Sequence, residues 1–462
     1  LGSNAATVSG FVRVRRRSAD ASASAASFLT FTIQGETFMR MKIIALSISA
    51  SIAVAAATAG GVGARVTQAP ELFEVPSVKA SVPMPAHVDG MLREKSARWA
   101  ARVSINKRAL VDGERELMMS LPEGPQLRIS RAKSYRTANG ATVWSGASRL
   151  TADGRIKLDG RAPATALFVV RGERVTGQVI TSTGDVYEVM TSEDGAQQLL
   201  VKRNPASLES EGDDTPARVD IPTQPESRIT TRATTRAGET IVRVMQVYTP
   251  EAVTELGGLN GANDRAAFFI AQSNTAFVNN GLPLLFESAG VFFTPQGQVT
   301  DASSTLLSRI QSTNDGWFDS YSTTERNNTG ADLVALVVRD GLNSSGALLC
   351  GQAAAIGAVA SSGFFVQNQS CTTFTFVHEA AHLFGARHDN DPNTRPFRYG
   401  HGYVNSSRNF RTIMAVNSNP QPRIGYFSTI DQTFNGGTLG TSRNNDNERV
   451  MRERAATMAA FR

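Results

Sequence analysis

The sequence predicts an α/β (α+β) fold over residues 239–462, built on a mixed, mostly parallel sheet, with a mainly β region over 60–205 before it. Three observations carry this. After residue 239, apolar strand-type runs alternate with helical patterns, the order that builds a parallel sheet. Before 205, short β-type runs are separated by Gly and Asp turns. Between the two, residues 206–238 are rich in Thr, Arg, Pro and acidic side chains, a composition that cannot bury a core and reads as a linker.

Taken in order, residues 1–38 begin without Met and carry a basic Val12–Arg17 run and a Ser/Ala-rich patch, which reads as an over-extended start, with an unusually long signal peptide as the competing reading. Met39-Arg40-Met41-Lys42 then forms a short positive segment before an apolar stretch from Ile43 to Ala57. With Ala57-Thr58-Ala59 as a cleavage candidate, residues 39–59 are expected to be a signal peptide. The stretch is too short and too weakly apolar for a membrane span. The expectation is a secreted protein, extracellular or periplasmic, with no stable membrane insertion once the signal is removed.

The 60–205 region opens with a helical pattern around Val88–Lys107. Strand-type runs follow at Ala141–Trp144, Ala166–Val170 and Val175–Ile180. Turns at Asp153-Gly154, Ser182–Asp185 and Asp194-Gly195 separate such runs. His87, the one histidine here, is expected to be an ordinary exposed residue. In the linker, Arg228, Arg232 and Arg236 offer processing points.

From 239 onward the pattern gives a strand at Ile241–Tyr248, a helix at Asp264–Asn279, a strand at Leu284–Phe293, a helix at Ser303–Ser320 and a strand at Ala331–Val338. Gly351–Val359 and Gly363–Val366 are short and Gly/Ala-rich. Thr372–Val377 is a β-branched and aromatic lead-in to another helix. A terminal helix over Asp446–Phe461 begins with an Asp/Asn cap signal.

Charge narrows the partners. The formal net charge is +6, yet residues 239–462 hold 16 Arg, no Lys and 18 acidic residues, a net of −2. The excess of basic residues lies before 239, and no stripe of aromatic and basic residues accompanies it, so nucleic acid is not the expected partner. The two cysteines, Cys350 and Cys371, both fall in the second half. In an exported chain such a pair is expected to form a disulfide, with two free buried thiols as the competing state.

Residues 378–389 read HEAAHLFGARHD and bear the chemistry. His378 and His382 stand at i and i+4, one face of a helix, so both imidazoles can reach one ion. Gly385 sits where the helix must stop and turn back. The returning chain then brings His388 as a third ligand. Three neutral nitrogens with a fourth position open is the layout of one catalytic zinc ion, and Glu379 is the candidate general base. Three of the chain's five histidines are spent here, which disfavours Ser/His/Asp catalysis. His401 is a conceivable oxyanion donor, though a loop histidine without catalytic duty is the plainer reading. Asp389-Asn390-Asp391 allows calcium but lacks a full oxygen-ligand loop.

The extended motif resembles the metzincin clan of zinc endopeptidases. Asp389, directly after the third histidine, resembles the reprolysin (adamalysin) group. Tyr399–Tyr403 and Arg411–Met414 resemble bacterial reprolysin-like enzymes, including the peptidyl-Asp metalloendopeptidases. The resemblance covers about residues 241–462 and implies several roles. Thr412-Ile413-Met414-Ala415 would be the methionine turn, with Met414 a polarizable cushion under the imidazoles and not a ligand. Asp389 would be buried and structural, and Gly351–Val359 would supply an antiparallel edge strand that takes up extended protein or peptide substrates. No tyrosine follows Met414 closely, so the tyrosine ligand of the astacin group has no counterpart.

These readings combine into a secreted zinc endopeptidase made as a zymogen, its β-rich propeptide covering the cleft. An inactive zinc-binding interaction module of the same fold is the alternative, disfavoured by Glu379. A zinc hydrolase of non-peptide amides is a third reading. If specificity follows the peptidyl-Asp enzymes, an arginine should line the pocket, and Arg395, Arg398, Arg411 and Arg423 all stand in a suitable stretch.

Overall fold

The computed structural model describes residues 69–75, 83–152, 154, 156–157, 162–204, 216, 218–223, 238–297, 302–339, 341–342, 346, 348–416 and 421–462. The expected signal peptide at 39–59 and the processing arginines Arg228, Arg232 and Arg236 lie outside these residues. Everything described falls in one compact unit, residues 66–462.

After helix α1 (Ala86–Arg93), the N-terminal region builds eight strands: β1 (Ala97–Arg102), β2 (Glu116–Ser120), β3 (Gln126–Arg136), β4 (Thr142–Ala147), β5 (Thr165–Arg171), β6 (Arg174–Ile180), β7 (Val186–Thr191) and β8 (Gln198–Arg203). They form one antiparallel sheet in the order β1-β8-β7-β6-β5-β4-β3-β2. The helix expected over 88–107 is cut short. Residues 97–102 pair with β8 instead, Ala101 opposite Leu200 and Ala100 opposite Val201, so a long-range ladder overrides local helix propensity. His87 also departs from expectation. Its ring lies against Gly257, where a Cβ would come within 2.7 Å, so it is half-buried between helices.

The second region runs β9 (Thr240–Tyr248), α2 (Leu259–Asn279), β10 (Leu284–Phe293), α3 (Ser303–Gln311), β11 (Leu333–Val338), β12 (Gly351–Ala353), β13 (Phe364–Asn368), α4 (Thr375–Phe384) and α5 (Asn447–Met458). Its sheet has the order β10-β9-β11-β13-β12. All neighbours are parallel except β12, which runs antiparallel to β13 at the edge. Helix α3 stops well before Ser320, because the Asp319 carboxylate accepts the N–H groups of Asp315 and Gly316 and bends the chain into a turn.

Helix α2 lies between the two sheets and is buried along most of its length, as a helix covered on both sides must be. Ala141, Val143, Leu167 and Val169 of the N-terminal sheet share one core with Ala262, Ala266 and Phe269 of α2 and Phe376 of α4. Phe269 and Phe376 stack at 5.0 Å. Ion pairs close the same junction. Glu188 on β7 accepts from Arg203 at 2.8 Å and from Arg265 of α2 at 3.2 Å. Asp264 of α2 receives Arg171 at 3.0 Å and Arg174 at 2.6 Å.

Candidate metal centre

The geometry of α4 follows from its two ends. Phe374 precedes it in the left-handed region, at φ +67°, and Gly385 closes it at φ +121°. A Cβ at 385 would also lie 2.6 Å from the Phe397 ring, so both conformation and space call for glycine here. The Gly385 N–H bonds back to Ala381 O and His382 O, and the chain reverses to carry His388 toward the helix.

His378, His382 and His388 converge. The His388 Nε2 stands 3.0 Å from His378 Nε2 and 3.1 Å from His382 Nε2. Each of the first two rings is fixed by its other nitrogen: His378 Nδ1–H donates to Ile413 O at 2.9 Å and His382 Nδ1–H to Ala386 O at 2.8 Å. A carbonyl only accepts, so Nδ1 carries the proton and the Nε2 lone pairs face one point. Burial holds His378 neutral, its pKa pushed down to about 4, and keeps His382 and His388 well below the ordinary value. Neutral lone pairs this close repel unless a cation stands among them. The donor set therefore fits a metal ion, and among the described residues it is the one such cluster.

Glu379 is fully buried on α4 and lies under the edge strand. A Cβ at Gly351 would meet Glu379 Cγ at 2.5 Å and Oε1 at 2.6 Å, so glycine at this place on β12 makes room for the carboxylate. The sequence showed a Gly/Ala-rich run there but not which glycine was required. The disulfide between Cys350 and Cys371 ties that strand to the lead-in of α4.

Asp389 Oδ1 accepts the Val416 N–H at 3.0 Å, joining the third-histidine loop to the turn that contains Met414. Met414 is fully buried in that turn, next to Ile413, whose carbonyl holds His378. Asp391 pairs with Arg387. His401 directs its Nε2 to Asn393 O at 2.8 Å, so its ring serves the loops that surround it. Sequence reasoning missed Gln272 and Gln178. Gln272 of α2 accepts the Phe374 N–H and donates to Thr372 O at 2.7 Å, while Gln178 of β6 reaches Thr372 Oγ1 at 3.0 Å. A polar residue at mid-helix in α2 was the available signal.

Arg411 and Arg423 lie beside the Met414 turn. Their guanidinium groups meet at Ala415 O, with Arg411 Nη1 at 2.7 Å and Arg423 Nη2 at 3.3 Å. Burial lowers their pKa values to about 10 and about 9, which leaves both cationic at neutral pH. Both line a cavity of about 1550 Å³ with Thr373, Phe374 and residues of the N-terminal sheet. None of the three histidines lines it. From the linker, Arg218–Ile221 lie along 356–357. Val219 pairs with Ile356 in parallel, and Ile356 N donates to Arg218 O at 2.8 Å. Gly357 N in turn donates to His382 O at 2.9 Å.

Residues 238–428 match Reprolysin_5, described as Metallo-peptidase family M12. The chain is 32% identical over 358 residues to a peptidyl-Asp metalloendopeptidase of Stenotrophomonas maltophilia (strain R551-3), covering 73% of this chain and 81% of that one. It is also 32% identical over 383 residues to a peptidyl-Asp metalloendopeptidase of Xanthomonas campestris pv. campestris, covering 80% and 88%. A third, from Stenotrophomonas maltophilia (strain K279a), is 31% identical over 419 residues, 86% of this chain and 95% of that one. An alignment of that length reaches beyond 239–462, so the likeness extends into the N-terminal region as well.

Proposed function

The chain belongs to metallopeptidase family M12 as a reprolysin-like metalloendopeptidase, and on that premise we propose a secreted, zinc-dependent endopeptidase made as a zymogen. The observation that carries the reading is the convergence of three neutral Nε2 atoms on one point, on the same helix as Glu379. His378, His382 and His388 would hold the ion. Zinc bound there supplies Lewis-acid polarisation of the scissile carbonyl and acidification of the attacking water.

The chain's own groups do the rest. Glu379 accepts the proton of the water as its oxygen bonds to the carbonyl carbon, and passes that proton to the amine as the C–N bond breaks. Gly351 lets the edge strand approach that carboxylate, and an extended peptide is expected to pair along β12 and the residues after it. The name shared by the relatives suggests a bond whose amine belongs to aspartate.

The zymogen reading is supported by the linker. Arg218–Ile221 occupy the stretch around Ile356 by strand-type pairing, and Asp220 bonds to Ser362. With no cysteine before 239, cover of the cleft by this segment, and not a thiolate on the metal, is the means of inhibition. Export rests on the 39–59 pattern and on the disulfide. Among the described residues no helix is long and apolar enough to cross a membrane.

Casein cleavage by the protein and by Glu379→Ala, each with zinc quantified, tests the reading. Turnover should fall by at least about 10²-fold while roughly one zinc stays bound. A parent that holds zinc, has lost its N-terminal region and still cleaves nothing would sink it.

A further inference from the structure

Helix α4 opens on a residue that has to be held in place. Phe374 precedes it at φ +67°, a left-handed conformation that a residue with a side chain rarely adopts, and no side chain caps the helix there. The Phe374 carbonyl accepts the His378 N–H at 3.0 Å. The first of the three histidines, with Glu379 directly after it, therefore hangs on the conformation of Phe374.

Two glutamines supply the hold, and one of them belongs to the N-terminal sheet. Gln272 of α2 spans the lead-in with one amide: its Oε1 accepts the Phe374 N–H at 3.1 Å and its Nε2 donates to Thr372 O at 2.7 Å. The same Nε2 donates to Gln178 Oε1 at 3.3 Å. Gln178 of β6 in turn donates from its Nε2 to Thr372 Oγ1 at 3.0 Å and to Thr372 O at 3.4 Å. Gln178, Gln272 and Thr372 are all buried. An amide network away from water fixes geometry firmly, because each bond lost leaves a stranded polar group. Gln178 also stands opposite Glu188 of β7, the carboxylate gripped by Arg203 and Arg265. Ion pairs to α2 thus anchor the sheet right beside the amide network.

An amide at 178 carries a desolvation cost that an apolar side chain would not, and its bonds end on the residues that open α4. The consequence reaches the metal centre. His378 and His382 ride on α4, whereas His388 is held separately, through the Asp389 bond to Val416. Slack at the start of α4 would move the first two histidines relative to the third. A metal site binds tightly when its side chains need little rearrangement.

We propose that Gln178, acting through Thr372 and Gln272, is a positioning residue for the metal centre, so that the docked N-terminal sheet raises the zinc affinity of the three histidines. The proposal rests on the zinc reading above and gives the N-terminal region a second role, assembly of the centre in addition to cover of the cleft. Coupling is reciprocal, so zinc at the histidines strengthens the docking of the sheet by the same factor.

The test uses the full chain carrying Glu379→Ala, so that self-cleavage does not remove the sheet. Zinc affinity is measured by competition with a fluorescent chelator. Gln178→Leu keeps the volume and leaves Gln272 on Thr372 O, so the fold should survive; Gln178→Met, more pliant at similar volume, replaces it if it does not. The zinc dissociation constant should rise by roughly 3- to 10-fold, the range of one neutral hydrogen bond. The control is Gln246→Leu. Gln246 of β9 donates to Ala266 O of α2 at 3.2 Å and accepts from Tyr248, yet touches neither Thr372 nor Phe374, and its variant should stay within about 2-fold. Unchanged affinity in Gln178→Leu would overturn the proposal. An equal rise in both variants would show general loosening of the fold and overturn it too.

Hydrogen–deuterium exchange on metal-stripped protein keeps the two readings apart. Peptides covering 372–384 should exchange about 3- to 10-fold faster in Gln178→Leu than in the parent, while those covering β11 stay unchanged. Unchanged exchange at 372–384 would remove Gln178 from the account. If none of the chains binds zinc, the zinc reading fails, and the exchange rates still decide whether Gln178 positions α4.

Discussion

Asp389 shows what a single carboxylate contributes beside a metal centre. Its Oδ1 takes the Val416 N–H at 3.0 Å, and so clamps the loop that carries His388 to the turn whose Ile413 carbonyl orients His378. Removing it strands a main-chain donor in a place with little water. Asp389→Ala should cost about 1–3 kcal/mol and weaken zinc binding, because two ligands lose a common brace. Asp389→Asn keeps an acceptor oxygen and should recover most of the loss. Thermal unfolding with and without zinc would measure this, and equal melting temperatures for the Ala variant and the parent would remove the clamp from the account. The place of Asp389 directly after His388 was legible in the sequence. Its partner was not, because Val416 lies 27 residues away and any main-chain N–H looks alike in a sequence.

At the scale of elements, α4 depends on its ends more than on its composition. The apolar run Phe376-Val377 with Ala380-Ala381 and Leu383-Phe384 announces a buried helix, and the strand Leu333–Val338 is equally plain because a parallel sheet covered on both faces needs unbroken apolar residues. The stop at Gly385 decides whether the three histidines meet. Gly385→Ala would place a Cβ at φ +121° and 2.6 Å from the Phe397 ring. Strain of this kind costs on the order of 1–3 kcal/mol before any clash is counted. The expected result is a lowered melting temperature and a zinc content well under one per chain, since His388 is delivered by the displaced segment. Full zinc occupancy in a folded Gly385→Ala protein would show that the reversal tolerates a side chain. Elements governed by distant partners were less legible. Residues 97–102 carry helix-forming Ala and Arg, yet the exposed edge of β8 recruits them as a strand.

For the whole molecule, the decisive feature is that the N-terminal sheet and the catalytic region share α2. The β character of the N-terminal sheet could be read from its turns, but a periodic pattern does not say what covers a helix. The junction holds a buried carboxylate, Glu188, between Arg203 from the same sheet and Arg265 from α2. Burial alone would raise its pKa, but Arg265 and Arg203 outweigh burial and hold it down at about 2. An unfolded glutamate titrates near 4.3. The pairing thus contributes its full stabilisation above about pH 4.3 and loses it as pH falls toward 2. Asp264, pushed up by burial against the pull of Arg174 and Arg171, works in the opposite sense, so the loss should be confined to the acid side of this window. Two consequences follow if the linker is cut within 206–238. At pH 7 the nicked N-terminal sheet should remain bound, because its apolar face and its buried ion pairs are intact. In Arg265→Ala, Glu188 keeps only one cation, and a buried pair broken from one side costs about 3–5 kcal/mol. Size-exclusion chromatography of nicked protein should then show the sheet eluting with the catalytic region in the parent at pH 7, separating from it only as the pH is brought down to about 2, and separating already at pH 7 in the variant. Release from the nicked parent at pH 7 would mean that the shared core does not hold the sheet once the chain is cut, and that the linker alone keeps the two together.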